Sequence, residues 1–424
     1  MKSIAKYIGI LAVLLFSASC DKQDYPDRFR ATAGVPTVDF VRYADKDVFI
    51  TQAYMDEVLC IVGSNLCSVH EVYFNDQPAV LNTSFITDHT LLVAVPGNAA
   101  TEKTDKFYLV TAGGQTVSYD FKVLPPAPKI SSLSNEWAAE GEEVTLNGRY
   151  FIDVTGVNLP GVEVTDYTVV SSEAITFKVP AGANPGPVEV ITASGSGRSS
   201  FQYKDSRNML FDWDGVYGMA LGHGWRDGSK VLCAPGAHAF PALMGNYIAF
   251  TSEFGGDPYE GWPEDPCSFD YWPGDVGSAY APLYSFDTFA QYIAKYGVGG
   301  LCLKFEVMVP TSNPWTCVAM QLMFSSEKNV SDSNMNNNYF SEDDFPRAVW
   351  EPWTATGSFD TGDKWQTVSI PLTDFNKKSN GSACATKFDD SYLHGLAFFL
   401  WGGSQEGKAG TPVIAIDNIR VVPL

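Results

Sequence analysis

The stretch RAVWEPWTATGSFDTGDKWQTVSIPL, Arg347 to Leu372, places Trp350, Trp353 and Trp365 within sixteen residues. Pro352 stands between the first two. Proline fixes φ and lacks a backbone N–H, which excludes a helix interior or a central strand position. The loop is therefore expected to hold Trp350 and Trp353 near its surface. An indole face suits the apolar C–H face of a pyranose ring. Polar neighbours would then read hydroxyl groups, and Arg347, Glu351 and Gln321 are the candidates, although ordinary solvated surface explains them equally well. Strand parity adds a third ring. In the strand around Cys317, Val318, Met320, Leu322 and Phe324 share the apolar face, which puts Trp315 on the other face with Gln321. Trp365 opens the strand of Val368 and Ile370 and is expected to pack over a sandwich edge.

Hydrolytic chemistry is the competing use of this segment. A glycosidase needs two carboxylates facing each other across a cleft. Glu342, Asp343, Asp344 and Glu351 crowd one polar segment, and no spacing singles out a pair. His70, His89, His223, His238 and His394 form no zincin or triad pattern. No catalytic residue is assigned. Asp212, Asp214 and Asp417 offer oxygen ligands of the kind calcium takes, but turn-forming aspartates account for them. No metal and no cofactor is assigned.

The composition narrows the partners. The chain has 424 residues, 45% hydrophobic and only 18% charged, with a formal net charge of −21. That sign excludes nucleic acid, whose readers need a cationic footprint, and disfavours anionic lipid. Aromatic residues reach 13%, and nine of the ten tryptophans lie after residue 208. Lys2 and Lys6 precede an apolar run from Tyr7 to Phe16, too short to span a bilayer. SASC follows, so the start resembles a bacterial lipoprotein signal cut before Cys20, which would carry lipid. Asp21 and Asp24 resemble the export signals of lipoproteins shown on the outer cell surface. Cys20 leaves seven cysteines, an odd number, in a compartment that permits disulfides.

The elements that must position the tryptophans fall into three blocks after a polar tether. Two copies of a strand-rich repeat come first. EVLCIVGSNL (57–66) and LLVAVPGN (91–98) answer EEVTLNGRYF (142–151) and AITFKVPAG (174–182). Gly63 and Gly148 correspond at a separation of 85. Short alternating strands punctuated by Gly, Pro and Asn are the signature of small antiparallel sandwiches. The copies resemble IPT/TIG immunoglobulin-like domains, the second through Pro128-Lys129-Ile130 and Val144–Phe151. Neither holds a cluster of His, Cys or carboxylates, so both read as spacers. From Asn208 onward, longer alternating strands recur, including 301–310, 317–324, 366–372, 395–403 and 413–422. These suggest one larger jelly-roll-like sandwich. A helix is expected over Ser285–Gly297.

The order DWDG, VWEPW, WQTVSIPLTDF, GLAFFLWGG and IDNIRVV resembles the C-terminal domain of the surface glycan-binding proteins of outer-membrane glycan-uptake systems. The resemblance covers essentially the whole chain. It implies an all-β chain: signal peptide 1–19, lipid anchor and tether 20–35, an Ig-like spacer 36–124, an IPT/TIG spacer 125–204 and a glycan-binding β-sandwich 205–424. It also implies a non-enzymatic, lipid-anchored cell-surface protein. Its partners would be a polysaccharide, a soluble β-glucan such as xyloglucan or mixed-linkage glucan, the outer-membrane lipid through Cys20, and a glycan transporter complex. By position its aromatic platform would use Trp350, Trp353 and Trp315. The alternatives are a structural or adhesive surface protein, which leaves the tryptophan enrichment unexplained, and a glycoside hydrolase.

Overall fold

Gly63 and Gly148 occupy equivalent places in two successive sandwiches. Each lies opposite the first strand of its copy, in register with Val38 and Ile130 respectively, one step before a bulge. A Cβ on Gly63 would meet the Thr37 carbonyl oxygen at 1.9 Å, and one on Gly148 the Lys129 carbonyl oxygen at 2.2 Å. The close approach of two backbones, rather than backbone conformation, requires glycine at both positions. The repeat seen in the sequence is thus a repeat of this strand contact.

The computed structural model describes residues 32–222, 226–257, 267–271, 291–325, 345–392, 395–402 and 406–424. The N-terminal segment expected to be a signal and Cys20 fall outside them, as do Glu342–Asp344, Trp225, Trp262 and Trp272. The chain divides into two compact units, Met1–Pro126 and Ala127–Leu424. Among the described residues no helix is long and apolar enough to cross a membrane.

In the first unit a three-stranded sheet (Thr37–Tyr43, Val58–Ser64, Thr90–Ala94) and a four-stranded sheet (Gln77–Ala79, Val69–Phe74, Lys106–Thr111, Thr116–Asp120) enclose Leu59, Ile61, Val72, Leu91, Phe107 and Leu109. Alternation along each strand sends these side chains inward.

The second unit contains two sandwiches. The smaller packs Lys129–Leu133, Glu143–Arg149, Ala174–Lys178 and Tyr167–Ser171 against Val162–Glu163, Val154–Leu159, Glu189–Thr192 and Gly195–Arg198. The larger has a six-stranded sheet, ordered Leu232–Cys233, Tyr247–Thr251, Val413–Pro423, Leu301–Met308 and Gln366–Pro371, with Met209–Phe211 also on Val413–Pro423. Its second sheet runs Ser268–Tyr271, Gly395–Leu400, Met320–Ser325, Ala348–Trp350. The described strands of the larger sandwich all pair antiparallel. Leu303, Phe305, Ile416, Leu322, Phe398 and Leu400 form its core. Helix is described only at 291–296 of the expected Ser285–Gly297, the residues before it lying outside the described set.

Lys304 and Glu306, polar positions on the core strand Leu301–Met308, point away from the core as alternation requires, yet are 6% and 0% exposed. The smaller sandwich covers them. Its Glu136 meets Lys304 and Arg420, and Thr367 N donates to the Ser134 carbonyl at 2.8 Å. Trp137 adds a ring contact with Tyr217 at 5.7 Å.

The cysteines after Cys20 form no disulfide among the described residues. Burial pushes the Cys302 thiol up to about 11.

Candidate functional site

Trp350 ends an edge strand. Residues Ala348, Val349 and Trp350 pair with Leu322, Gln321 and Met320. Pairing with Met320 puts Trp350 on the inner face, at the end of the sheet, where its ring is only partly buried. Three rings meet it edge to face: Trp315 at 5.2 Å, Phe305 at 5.5 Å and Phe359 at 5.8 Å. Such contacts fix ring orientation as well as adding burial. Trp350 is therefore a partly exposed aromatic held in one pose.

Trp315 does not stand beside it on the surface. It is 0% exposed, and its indole Nε1 donates to the Cys317 and Val318 carbonyls. The parity argument fails for a local reason. Val318 has a φ of 23°, so the extended chain is interrupted there and the regular strand starts only at Met320. Counting alternation back through that kink assigns the wrong face. Trp315 is instead bonded through its backbone to Phe359, N to O at 2.8 Å in both directions, and its ring buttresses Trp350.

Trp353 is also buried, at 6% exposure. Pro352 does break regular structure, but the result is a turn, with Thr354 N donating to the Glu351 carbonyl at 3.1 Å, that folds Trp353 back onto the core. Trp365 packs against Phe240 and Tyr247 on the outer face of the six-stranded sheet, as expected for a sandwich-edge ring, and donates to the Pro241 carbonyl at 2.8 Å.

Gln321 and Arg347, expected to meet hydroxyls, are fully buried. They lie on the outer face of the four-stranded sheet, which the segment after Phe375 covers. Gln321 Nε2 donates to the Ser379 and Trp401 carbonyls at 3.1 and 3.3 Å, and Arg347 exchanges backbone hydrogen bonds with Lys377 at 3.0 Å. Polar side chains on a sheet face read as solvated until a covering segment is seen, and nothing in the local sequence announces that cover. Glu351 remains partly accessible, but its Oε1 is buried without a partner among the described residues, and burial pushes its carboxyl up.

A further tryptophan of this sheet lies outside the expected set. Trp401 is half-buried, and its backbone N–H donates to the Ala319 carbonyl at 2.9 Å, next to the row that carries Trp350. The signal was the strand Gly395–Leu400, apolar on both faces, which leaves the residue after it free to be displayed. Of the other acids, Asp212 turns its carboxylate onto the backbone N–H groups of Gly215, Val216 and Gly218 at 2.8, 2.9 and 3.2 Å, a turn-forming role. Among the described residues no group of three His, Cys, Asp or Glu side chains is placed to hold a metal ion.

Comparison with known proteins bears on this arrangement. Residues 203–423 match the family described as surface glycan-binding protein B xyloglucan binding domain, and residues 128–204 match the IPT/TIG domain. The chain belongs to the surface glycan-binding protein B family. The crystal structure of the surface glycan-binding protein PbSGBP-B from Prevotella bryantii is similar over 93% of this chain and 100% of that one, at 34% identity and a TM-score of 0.68. An IPT/TIG domain-containing protein of Bacteroides ovatus is 27% identical over 176 residues, 38% of this chain. That match spans about a third, 34%, of the relative's length. The family's larger sandwich is the one that carries Trp350 and Trp401, and its IPT/TIG domain is the one whose Glu136 is buried against it.

Proposed function

We propose that this chain is a non-catalytic, lipid-anchored receptor of the outer cell surface that captures soluble β-glucan, of the xyloglucan or mixed-linkage type, for an outer-membrane transporter. The observation that carries the reading is Trp350, a partly exposed indole clamped by three rings inside a domain of this family. Glu351 beside it supplies a hydrogen-bonding carboxyl, and Phe359, partly buried against Trp350, extends the apolar rim. Trp315 acts beneath Trp350 as a positioning residue, Trp353 anchors the loop in the core, and Gln321 and Arg347 hold the segment around Lys377 and Ser379 on the other face of the sheet. The lipid would be attached at Cys20, with the export acids Asp21 and Asp24 behind it.

A pyranose laid on indole removes about 100–150 Å² from water, worth about 2.5–4 kcal/mol at roughly 25 cal/mol/Å². Association costs at least about 4 kcal/mol. One ring cannot hold a glycan, so the site needs two or more, and a polymer held by two or three binds in roughly the micromolar to millimolar range. That range suits capture followed by release to a transporter.

Affinity electrophoresis through xyloglucan, mixed-linkage β-glucan and an unrelated α-glucan tests the proposal. Retardation by the β-glucans, lost in Trp350→Ala, is expected, with no new reducing ends released on prolonged incubation. Mobility unchanged in every gel, or a rise in reducing ends, defeats it.

A further inference from the structure

The seam between the IPT/TIG sandwich and the larger sandwich is not closed along its whole length. A cavity of 370 Å³ opens where residues of both meet. Its apolar lining comes from Met308, Trp365 and Pro241 of the larger sandwich, and the polar side from Asn135, Thr145 and the Glu143–Lys364 pair, 3.4 Å apart across the mouth. Asn135 is 6% exposed; its Oδ1 accepts from Trp137 N at 2.9 Å, while its Nδ2 has no partner among the described residues. That amide lies in the lining of the cavity, where its N–H groups are available to a ligand. A second cavity of 400 Å³ shares Pro241 and Asp363 with the first and runs on between His238–Phe240 and Pro310–Asn313. The His238 and Phe240 rings there are parallel, 1° apart in plane with centroids 5.2 Å apart. The two cavities form one groove with an apolar floor and a few hydrogen-bonding groups, each part within the volume range of small-ligand sites, and domain seams are where such sites concentrate.

We propose that this groove is a second glycan-binding site, taking neutral sugar units of the same polymer that the Trp350 rim captures. The chemistry selects that ligand. Trp365, Met308 and Pro241 offer apolar contact to C–H groups, and Asn135 offers a donor to a hydroxyl. Glu142, Glu143 and Asp363 against the single Lys364 leave the lining acidic, which turns away uronic acids and other anions. The groove lies on the outer face of the six-stranded sheet, whereas Trp350 belongs to the other sheet. One polymer chain could therefore engage both, and the second contact would add avidity without any change at the first.

The proposal rests on the reading of the chain as a glycan receptor, and the test separates the two. Thr145 lies on the solvent face of its strand, between core residues Val144 and Leu146, so Thr145→Trp fills the cavity from its wall without touching either core. Gln366→Ala, which also lines the cavity, is a second, milder variant. Calorimetric titration with xyloglucan and mixed-linkage glucan oligosaccharides, together with retardation by the polymers, is run on the full chain, Thr145→Trp, Gln366→Ala, Trp350→Ala and the Trp350→Ala/Thr145→Trp double variant. Two equivalents of oligosaccharide per wild-type chain are expected. Thr145→Trp should lose one of them and weaken polymer retention roughly tenfold or more, Gln366→Ala should weaken the same equivalent, and the double variant should bind nothing. Unchanged stoichiometry and retention in Thr145→Trp, with its melting temperature preserved, overturns the second site while leaving the receptor reading intact. No binding by the wild-type chain overturns both.

Discussion

Arg420 and Glu136 are 284 positions apart, yet Arg420 Nη2 donates to Glu136 Oε2 at 2.9 Å with both side chains withdrawn from water. Arg420 also donates to both oxygens of Glu306, at 2.8 and 2.9 Å. Lys304 completes the group on Glu136, and Thr367 Oγ1 accepts from Glu136 N and donates to Glu306. Two cations and two carboxylates balance. Because the cluster joins the IPT/TIG sandwich to the larger one, the IPT/TIG sandwich is fastened to its neighbour rather than strung beside it.

Removing one member of this cluster should therefore be costly. Arg420→Ala strands two buried carboxylates and is expected to lose about 3–5 kcal/mol of stability by urea denaturation. The loss should persist at high salt, since buried pairs are poorly screened. A loss under about 1 kcal/mol, the worth of a surface pair, would mean that water reaches the seam.

Asp417 sits beside that cluster. Its carboxyl is held well above the usual range by burial, with Glu306, Asp214 and Asp212 adding like charge. A raised folded pKa means that the folded state keeps the proton more tightly. The stabilising contribution is complete below the unfolded value of about 3.9 and is lost as pH rises through the folded value. Asp417→Asn should thus raise the melting temperature at pH 7 and make little difference near pH 3. Its carboxamide oxygen can still accept from Asn418 N, as Asp417 Oδ1 does at 2.8 Å. A lower melting temperature at pH 7 would show that the ionised form is stabilised in the fold.

The all-β architecture was legible because alternation, turn residues and a spaced repeat are local signals. Gly63 and Gly148 could be paired from sequence, and Trp365 was read as a sandwich-edge ring. Polar positions mislead for one reason, contact with a segment distant in the chain. Lys304 and Glu306 alternate as solvent-facing residues and are covered by Glu136; Gln321 and Arg347 are covered by the residues around Lys377 and Ser379. Trp315 fails for a different reason, the kink at Val318, which no residue type at that position foretells.

Cys20→Ala should release the protein from membranes. The basic residues Lys2 and Lys6, the apolar run and SASC motivate this. Fractionation of cells making the variant should find it soluble. A variant that stays with the membrane after a carbonate wash would show that the attachment is not at Cys20.

Trp315 and Trp350 touch at 5.2 Å but should respond to truncation in opposite ways. Trp315 is wholly buried and hydrogen-bonded, so Trp315→Ala empties a large core volume and should cost about 3–5 kcal/mol of folding stability. Trp350 is partly exposed, so Trp350→Ala should cost less stability. If its ring stacks on sugar, it should lose about 2–4 kcal/mol of contact, about 30- to 700-fold in affinity. Trp315→Phe separates support from structure. It keeps most of the apolar volume but narrows the buttress beneath Trp350, and should weaken binding by a smaller factor with a modest drop in melting temperature. Melting curves measured beside glycan titrations on the same samples resolve the three variants. Trp315→Ala melting like the wild type while losing all binding would place that ring on the surface. Trp350→Ala binding normally per folded molecule would move the site to Trp401 and its neighbours.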